Sequence, residues 1–180
     1  EYQVAAHLIY EGLLDEGLAV AKAARDRYDG VPRSPIPRNP WDEIECGGHY
    51  ARAMSSWSLL LAMSGWHYDG PLRTLRFAPR HRPEDGKTFW TGPAGGGTIQ
   101  QSLKESEAMV EIAVLSGEFT LRRLTIPVPS GVTTFAHATV SNSGRALPAK
   151  LKCQDGIAEI LLSEEGTVRE TGKLRFVLSV

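Results

Sequence analysis

The stretch Asn39-Pro40-Trp41-Asp42-Glu43-Ile44-Glu45-Cys46-Gly47-Gly48-His49-Tyr50-Ala51-Arg52 gathers acids, a histidine, an arginine and aromatics into one proline-led segment. Carboxylates accept hydrogen bonds, a guanidinium donates them, and Trp and Tyr faces cover apolar C–H groups. The mix suits a polyhydroxylated ligand such as a sugar. The same acids also suit a helix start, where free N–H groups and the helix dipole favour Asp42, Glu43 and Glu45 as caps. Both readings stand on these residues alone.

The elements that must hold this segment follow from the flanking sequence. Asn39 and Pro40 give N-cap and first-turn signals for a helix running to about Gly65. Gly47 and Gly48 weaken its beginning, so regular helix could start nearer His49 and leave the preceding residues as a loop lining a pocket. If the helix is continuous from Glu45, the turn of about 100° per residue puts Glu45, His49, Arg52 and Ser56 in one stripe. Tyr50, Met54, Trp57 and Leu61 then face the core. Upstream, Val4, Leu8, Ile9, Leu13, Leu14 and Leu18 recur at helical spacing and predict one long helix from Tyr2 to Tyr28, stopped at Asp29-Gly30. Gly12 and Gly17 within it imply close approach by a neighbouring helix. Pro32, Pro35, Pro37 and Pro40 make an extended connector between the two helices.

After the turn signal Tyr68-Asp69-Gly70-Pro71 the pattern changes to short alternating strands. Expected strands are Thr74 to Ala78, Lys87 to Trp90, Gly97 to Gln101, Ala108 to Leu115, Glu118 to Ile126, Thr133 to Val140, Ala149 to Cys153, Ile157 to Leu162 and Lys173 to Leu178. Ser116-Gly117 reads as a hairpin turn. The glycines of Gly92-Pro93-Ala94-Gly95-Gly96-Gly97-Thr98 read as a turn, or as a place where backbone passes close to something. Trp66, just before this half, and Phe89 and Trp90 within it are the aromatics a sugar-binding surface could use, with core packing as the alternative use.

Composition narrows the function classes. A net charge of −1 in 180 residues leaves no basic footprint for nucleic acid, and no apolar run approaches membrane-spanning length, so the chain reads as soluble. Its compartment stays open, with the cytoplasm slightly favoured. Two cysteines, Cys46 and Cys153, make neither a disulfide framework nor a zinc site, and five scattered histidines add no metal motif. No metal or cofactor is expected. Hydrolysis of a glycoside by retention needs two carboxylates about 5–5.5 Å apart across the bond. Glu43 and Glu45, two apart on one element, diverge rather than straddle a sugar.

Two blocks together, Glu1 to Gly12 with Arg25 to Gly30, and Arg38 to Met54, resemble the C-terminal end of the catalytic region in glycoside hydrolase family 116, which includes the non-lysosomal glucosylceramidases and bacterial β-glucosidases. The resemblance covers roughly residues 1–70. It implies an α+β chain: the last two helices of an (α/α)6 barrel over residues 1–70, then a β-rich C-terminal subdomain over residues 71–180. It implies retaining hydrolysis of a β-linked glucoside, with both catalytic carboxylates upstream, in an N-terminal part of the same enzyme, and none in this chain. Carried over position by position, Glu43 and Arg52 bind sugar hydroxyls; Trp41, Glu45 and His49 of the same segment are separate candidates for supporting that site. Gly48 stands where the family pattern has Asp. The β-rich half departs from shorter family members, and the competing reading of the chain is a noncatalytic carbohydrate-binding or interdomain structural module.

Overall fold

The structure is a computed structural model that describes residues 1–26, 55–129, 131–132 and 134–180. Its contacts divide the chain into two compact units, Glu1–Met63 and Ser64–Val180. The expected α+β architecture, ending a helical barrel, is overturned: strands make up 54% of the chain, and the described helices are three short ones. The fold is a β-rich domain.

In the first unit, α1 (Tyr2–Tyr10) and α2 (Leu14–Asp26) replace the single long helix read from periodicity. The break is a Schellman cap. Gly12 sits at φ +89°, its N–H donates to Ile9 O at 3.1 Å, and Leu13 N–H donates to Leu8 O at 2.9 Å. Apolar spacing continues across the cap and so hides it. Gly17 does what the sequence implied: a Cβ there would lie 2.6 Å from Ile9 Cγ1 and 2.7 Å from Ala5 O, so α1 and α2 meet across it. A third helix, α3 (Trp57–Ser64), adds Ala62 to a small cluster with Ala6 and Ile9. The expected helix from Asn39 is described only from Ser55 onward.

The second unit comprises β1 (Trp66–Asp69), β2 (Thr74–Phe77), β3 (Asp85–Gly92), β4 (Gly95–Leu103), β5 (Glu107–Pro127), β6 (His137–Asn142), β7 (Arg145–Leu147), β8 (Ala149–Gln154), β9 (Ile157–Arg169) and β10 (Lys173–Ser179). Strand β5 organises all of them. Its first half pairs antiparallel with β4 and β10; its second half pairs antiparallel with β9 and parallel with β2. Strand β3 extends the first layer beyond β4, β6 and β7 extend it beyond β10, and β1 and β8 extend the second layer. Inward residues of both layers, among them Ile112, Leu124, Ile160, Leu174 and Phe176, form one core.

The hairpin expected at Ser116-Gly117 does not form, because β5 runs through it for 21 residues. Gly117 does take a left-handed φ of +72°, but it bends the strand instead of reversing it. A Cβ there would lie 2.1 Å from Ala94 O, so the glycine lets the β3–β4 turn press onto β5, and Glu118 N–H donates to Ala94 O at 2.9 Å. The bend appears as a phase slip: Ala108, Val110, Ile112 and Val114 point inward, then Phe119 and Leu121, then Leu124 and Ile126 after a bulge at Arg122.

Candidate binding cleft

Strand alternation places Trp66 and Tyr68, two apart on β1, on one face. Trp90 reaches the same place from β3 and Phe119 from β5. Trp90 stacks on Trp66 with ring centroids 5.6 Å apart and planes 8° from parallel. Phe119 tilts against Trp66, Tyr68 and Trp90 at 5.7, 4.9 and 4.8 Å, the offset and edge-on distances that aromatic quadrupoles favour. Trp90 and Phe119 are buried at 3% and 4% exposure and make the floor, while the half-buried Trp66 and Tyr68 form the accessible wall.

Above this nest lies a cleft of about 220 Å³, closed by the β3–β4 turn at residues 91–95 and by Arg73, Glu118 and Thr120. The wall is held by hydrogen bonds. Tyr68 donates its hydroxyl to Thr120 O at 2.6 Å, and Thr120 Oγ1 and Thr167 Oγ1 lie 3.0 Å apart. Arg73 projects from the β1–β2 turn with a left-handed φ of +53°, rare for a residue bearing a side chain. Its carbonyl accepts from both Arg122 N–H (2.8 Å) and Arg123 N–H (3.2 Å), so the turn is pinned to the β5 bulge. Hydrogen bonding to the Tyr68 oxygen, then the nearby Glu165 and Glu118 carboxylates, holds the Arg73 guanidinium above its ordinary value. Arg73 is therefore a fixed cation. Glu118 pairs with Arg169 Nε at 3.6 Å. Trp90 Nε1, buried, has no hydrogen-bond partner among the described residues.

An apolar wall flanked by a guanidinium, a carboxylate and a hydroxyl can stack a ring and bond its polar edge. Glu118 is the one carboxylate among the described lining residues, which therefore hold no pair of the kind glycoside hydrolysis uses. Among the described residues no cluster of His, Cys, Asp and Glu could hold a metal ion, and no helix is long and apolar enough to cross a membrane.

Glu43 and Arg52, carried over from the family resemblance, and Trp41, Glu45 and His49, the candidates for supporting them, all lie outside the described residues. Of the aromatics singled out in the second half, Trp66 and Trp90 come together, whereas Phe89 is on the opposite face of β3 with 55% exposure. Tyr68, Phe119 and Arg73 were missed. Trp66-x-Tyr68 has the period-2 spacing of a strand face, but it follows Gly65 so closely that it reads as the tail of a helix and the start of a turn.

No family model matches this chain, and no curated protein sequence matches it. It is similar to solved structures at a distance. One is an α-L-rhamnosidase from Dictyoglumus thermophilum, 14% identical, with a TM-score of 0.39, over 71% of this chain and 13% of that one. Another is the bovine atadenovirus type 4 fibre head protein, 9% identical, with a TM-score of 0.27, over 54% of this chain and 96% of that one. A distant structural neighbour is thus a glycoside hydrolase, of which this chain spans about an eighth. Likeness at these TM-scores carries no argument about function, and family 116 in particular finds no support in it.

Proposed function

We propose that the chain belongs to a glycoside hydrolase-type protein and that its β-rich unit serves it as a noncatalytic carbohydrate-binding module. The observation that carries this reading is the cleft: the accessible faces of Trp66 and Tyr68 beside Arg73 and Glu118. A pyranose presents an apolar C–H face and a rim of hydroxyls, which are both donors and acceptors. The aromatic wall takes the first; guanidinium and carboxylate take the second. In the same reading the Asn39 to Met54 block supplies a second set of sugar contacts, Glu43 and Arg52 holding hydroxyls of a β-glucoside, with Trp41, Glu45 and His49 behind them.

Tryptophan fluorescence tests it, since Trp66 is itself a wall of the cleft. Titrating the chain with short neutral oligosaccharides, including cello- and laminari-oligomers, should give a saturable change, and Trp66→Ala should weaken binding about tenfold by calorimetry. A Trp66→Ala protein of unchanged affinity would move the sugar to the 39–54 block, where Arg52→Ala is the corresponding variant. No saturable response to any sugar would end the reading.

A further inference from the structure

We infer that the outward face of the β3–β4 hairpin is a second saccharide site, selective for sugars that carry carboxylates. It rests on the carbohydrate reading above only for the polyhydroxylated part of its ligand. Alternation along β3 turns Gly86 and Trp90 inward and Asp85, Lys87 and Phe89 outward, opposite Ser102, Gln100 and Thr98 of β4. The face holds an open groove of about 410 Å³ between these strands and the loop bearing His81 and Arg82.

Cations outnumber carboxylates in the groove, Arg82 and Lys87 against Asp85 among the described lining residues. Lys87, Gln100, Glu111 and Arg175 form one row across β3, β4, β5 and β10. Glu111 is already bound to Lys173 Nζ at 2.7 Å, and among the described residues Arg82, Lys87 and Arg175 have no ion-pair partner. Arg175 Nη2 lies 3.4 Å from Sδ of Met109, a lining residue, so a further cation stands next to the lining without being part of it. Among the described lining residues Asp85 is the single carboxylate. An anionic ligand fits this balance.

The loop that carries Arg82 is fixed in place. Gln101, 1% exposed, donates from Nε2 to Pro83 O at 2.8 Å; Leu103 N–H donates to Glu84 O at 2.8 Å and Asp85 N–H to Arg82 O at 3.0 Å. Gly86 is needed beneath it, because a Cβ there would lie 2.8 Å from Pro79 Cγ. Gln100 and Ser102, on the outward face beside Lys87 and Asp85, can donate to and accept from sugar hydroxyls, which an oligouronate has and a bare sulfate lacks. Phe89 stands two residues along from Lys87 on the same face, about 6.6 Å away by strand rise, and offers an exposed ring on which a neighbouring sugar can stack.

Isothermal titration calorimetry on the full chain tests the inference with five probes: a β-1,4-linked tetraglucuronate, an α-1,4-linked tetragalacturonate, the neutral C6-alcohol counterpart of each, and inorganic sulfate. At least one uronate should bind, weaken with added salt, and lose about tenfold or more in affinity in an Arg82→Gln, Lys87→Gln double variant. In that variant neutral sugars should bind as before, and Lys87→Arg should retain uronate binding. Uronate affinity unchanged in the double variant, sulfate as strong as the uronates, or no uronate binding at all would overturn the site. If neutral sugars bind in a manner that Trp66→Ala removes while the uronates fail, this inference falls and the cleft reading stands. If neither class binds, both fall.

Discussion

Arg73 joins two roles in one residue. Its backbone carbonyl closes the β5 bulge, and its guanidinium forms the cationic edge of the cleft. The two are separable, because glycine adopts the left-handed backbone of Arg73 without steric cost. Arg73→Gly should keep or raise the melting temperature while lowering saccharide affinity. Arg73→Ala should lower both, since it keeps the strain and loses the donor. Thermal denaturation and calorimetry on the two variants check this, and a Gly variant that binds as well as the original would remove the guanidinium from the site. With its pKa raised by Tyr68, Glu165 and Glu118, the guanidinium stays charged across any working pH. Its contribution to binding should therefore not vary with pH.

At the scale of elements, the glycines of the β3–β4 hairpin set how closely it lies on β5. Gly97 and Gly96 are neighbours with opposite demands. A Cβ at Gly97 would lie 1.9 Å from Ala113 O, backbone that cannot step aside, whereas at Gly96 the nearest atom is 3.4 Å away. Gly97→Ala should cost about 1–3 kcal/mol or more and loosen the Trp90 floor, because Trp90 Cζ2 is also 3.1 Å from that Cβ. Gly96→Ala should stay within about 0.5 kcal/mol of the original. Urea denaturation of the pair measures the difference; equal effects would show that close packing of β4 on β5 is not what requires glycine at 97.

At the scale of the molecule, the two units differ in how much they bury. The β unit encloses one continuous core that includes Phe77, Ile112, Leu121, Leu162 and Phe176, while the described buried cluster of the helical unit is Ala6, Ile9 and Ala62. Val4 of α1 is 57% exposed. Local opening costs less where fewer apolar contacts are broken. Hydrogen exchange should therefore find amides of β5 between Ala108 and Ile126 protected far longer than those of Tyr2–Tyr10. Equal protection in a monomer would mean that the helical unit draws on the same cooperative core.

The strands were legible where side chains alternate without interruption: the stretches around Thr74, Ala149, Ile157 and Lys173 all form where the period-2 pattern puts them, because half-buried strands write their two faces into the sequence. The close approach at Gly17 was legible too, since a glycine inside a helix needs a packing reason. Two other glycines were misread. Gly12 and Gly117 supply the same left-handed turn that glycine supplies anywhere; whether that turn caps a helix, reverses a hairpin or bends a continuing strand depends on what lies against it. At Gly117 this is the backbone of Ala94, distant along the chain. The cleft was half visible, as Trp66 and Trp90, but its other members are brought in from β1, β5 and the turn at Arg73. Local spacing records which face a residue takes on its own element. Which elements share that face is set by long-range pairing around β5, and only the tertiary structure decides it.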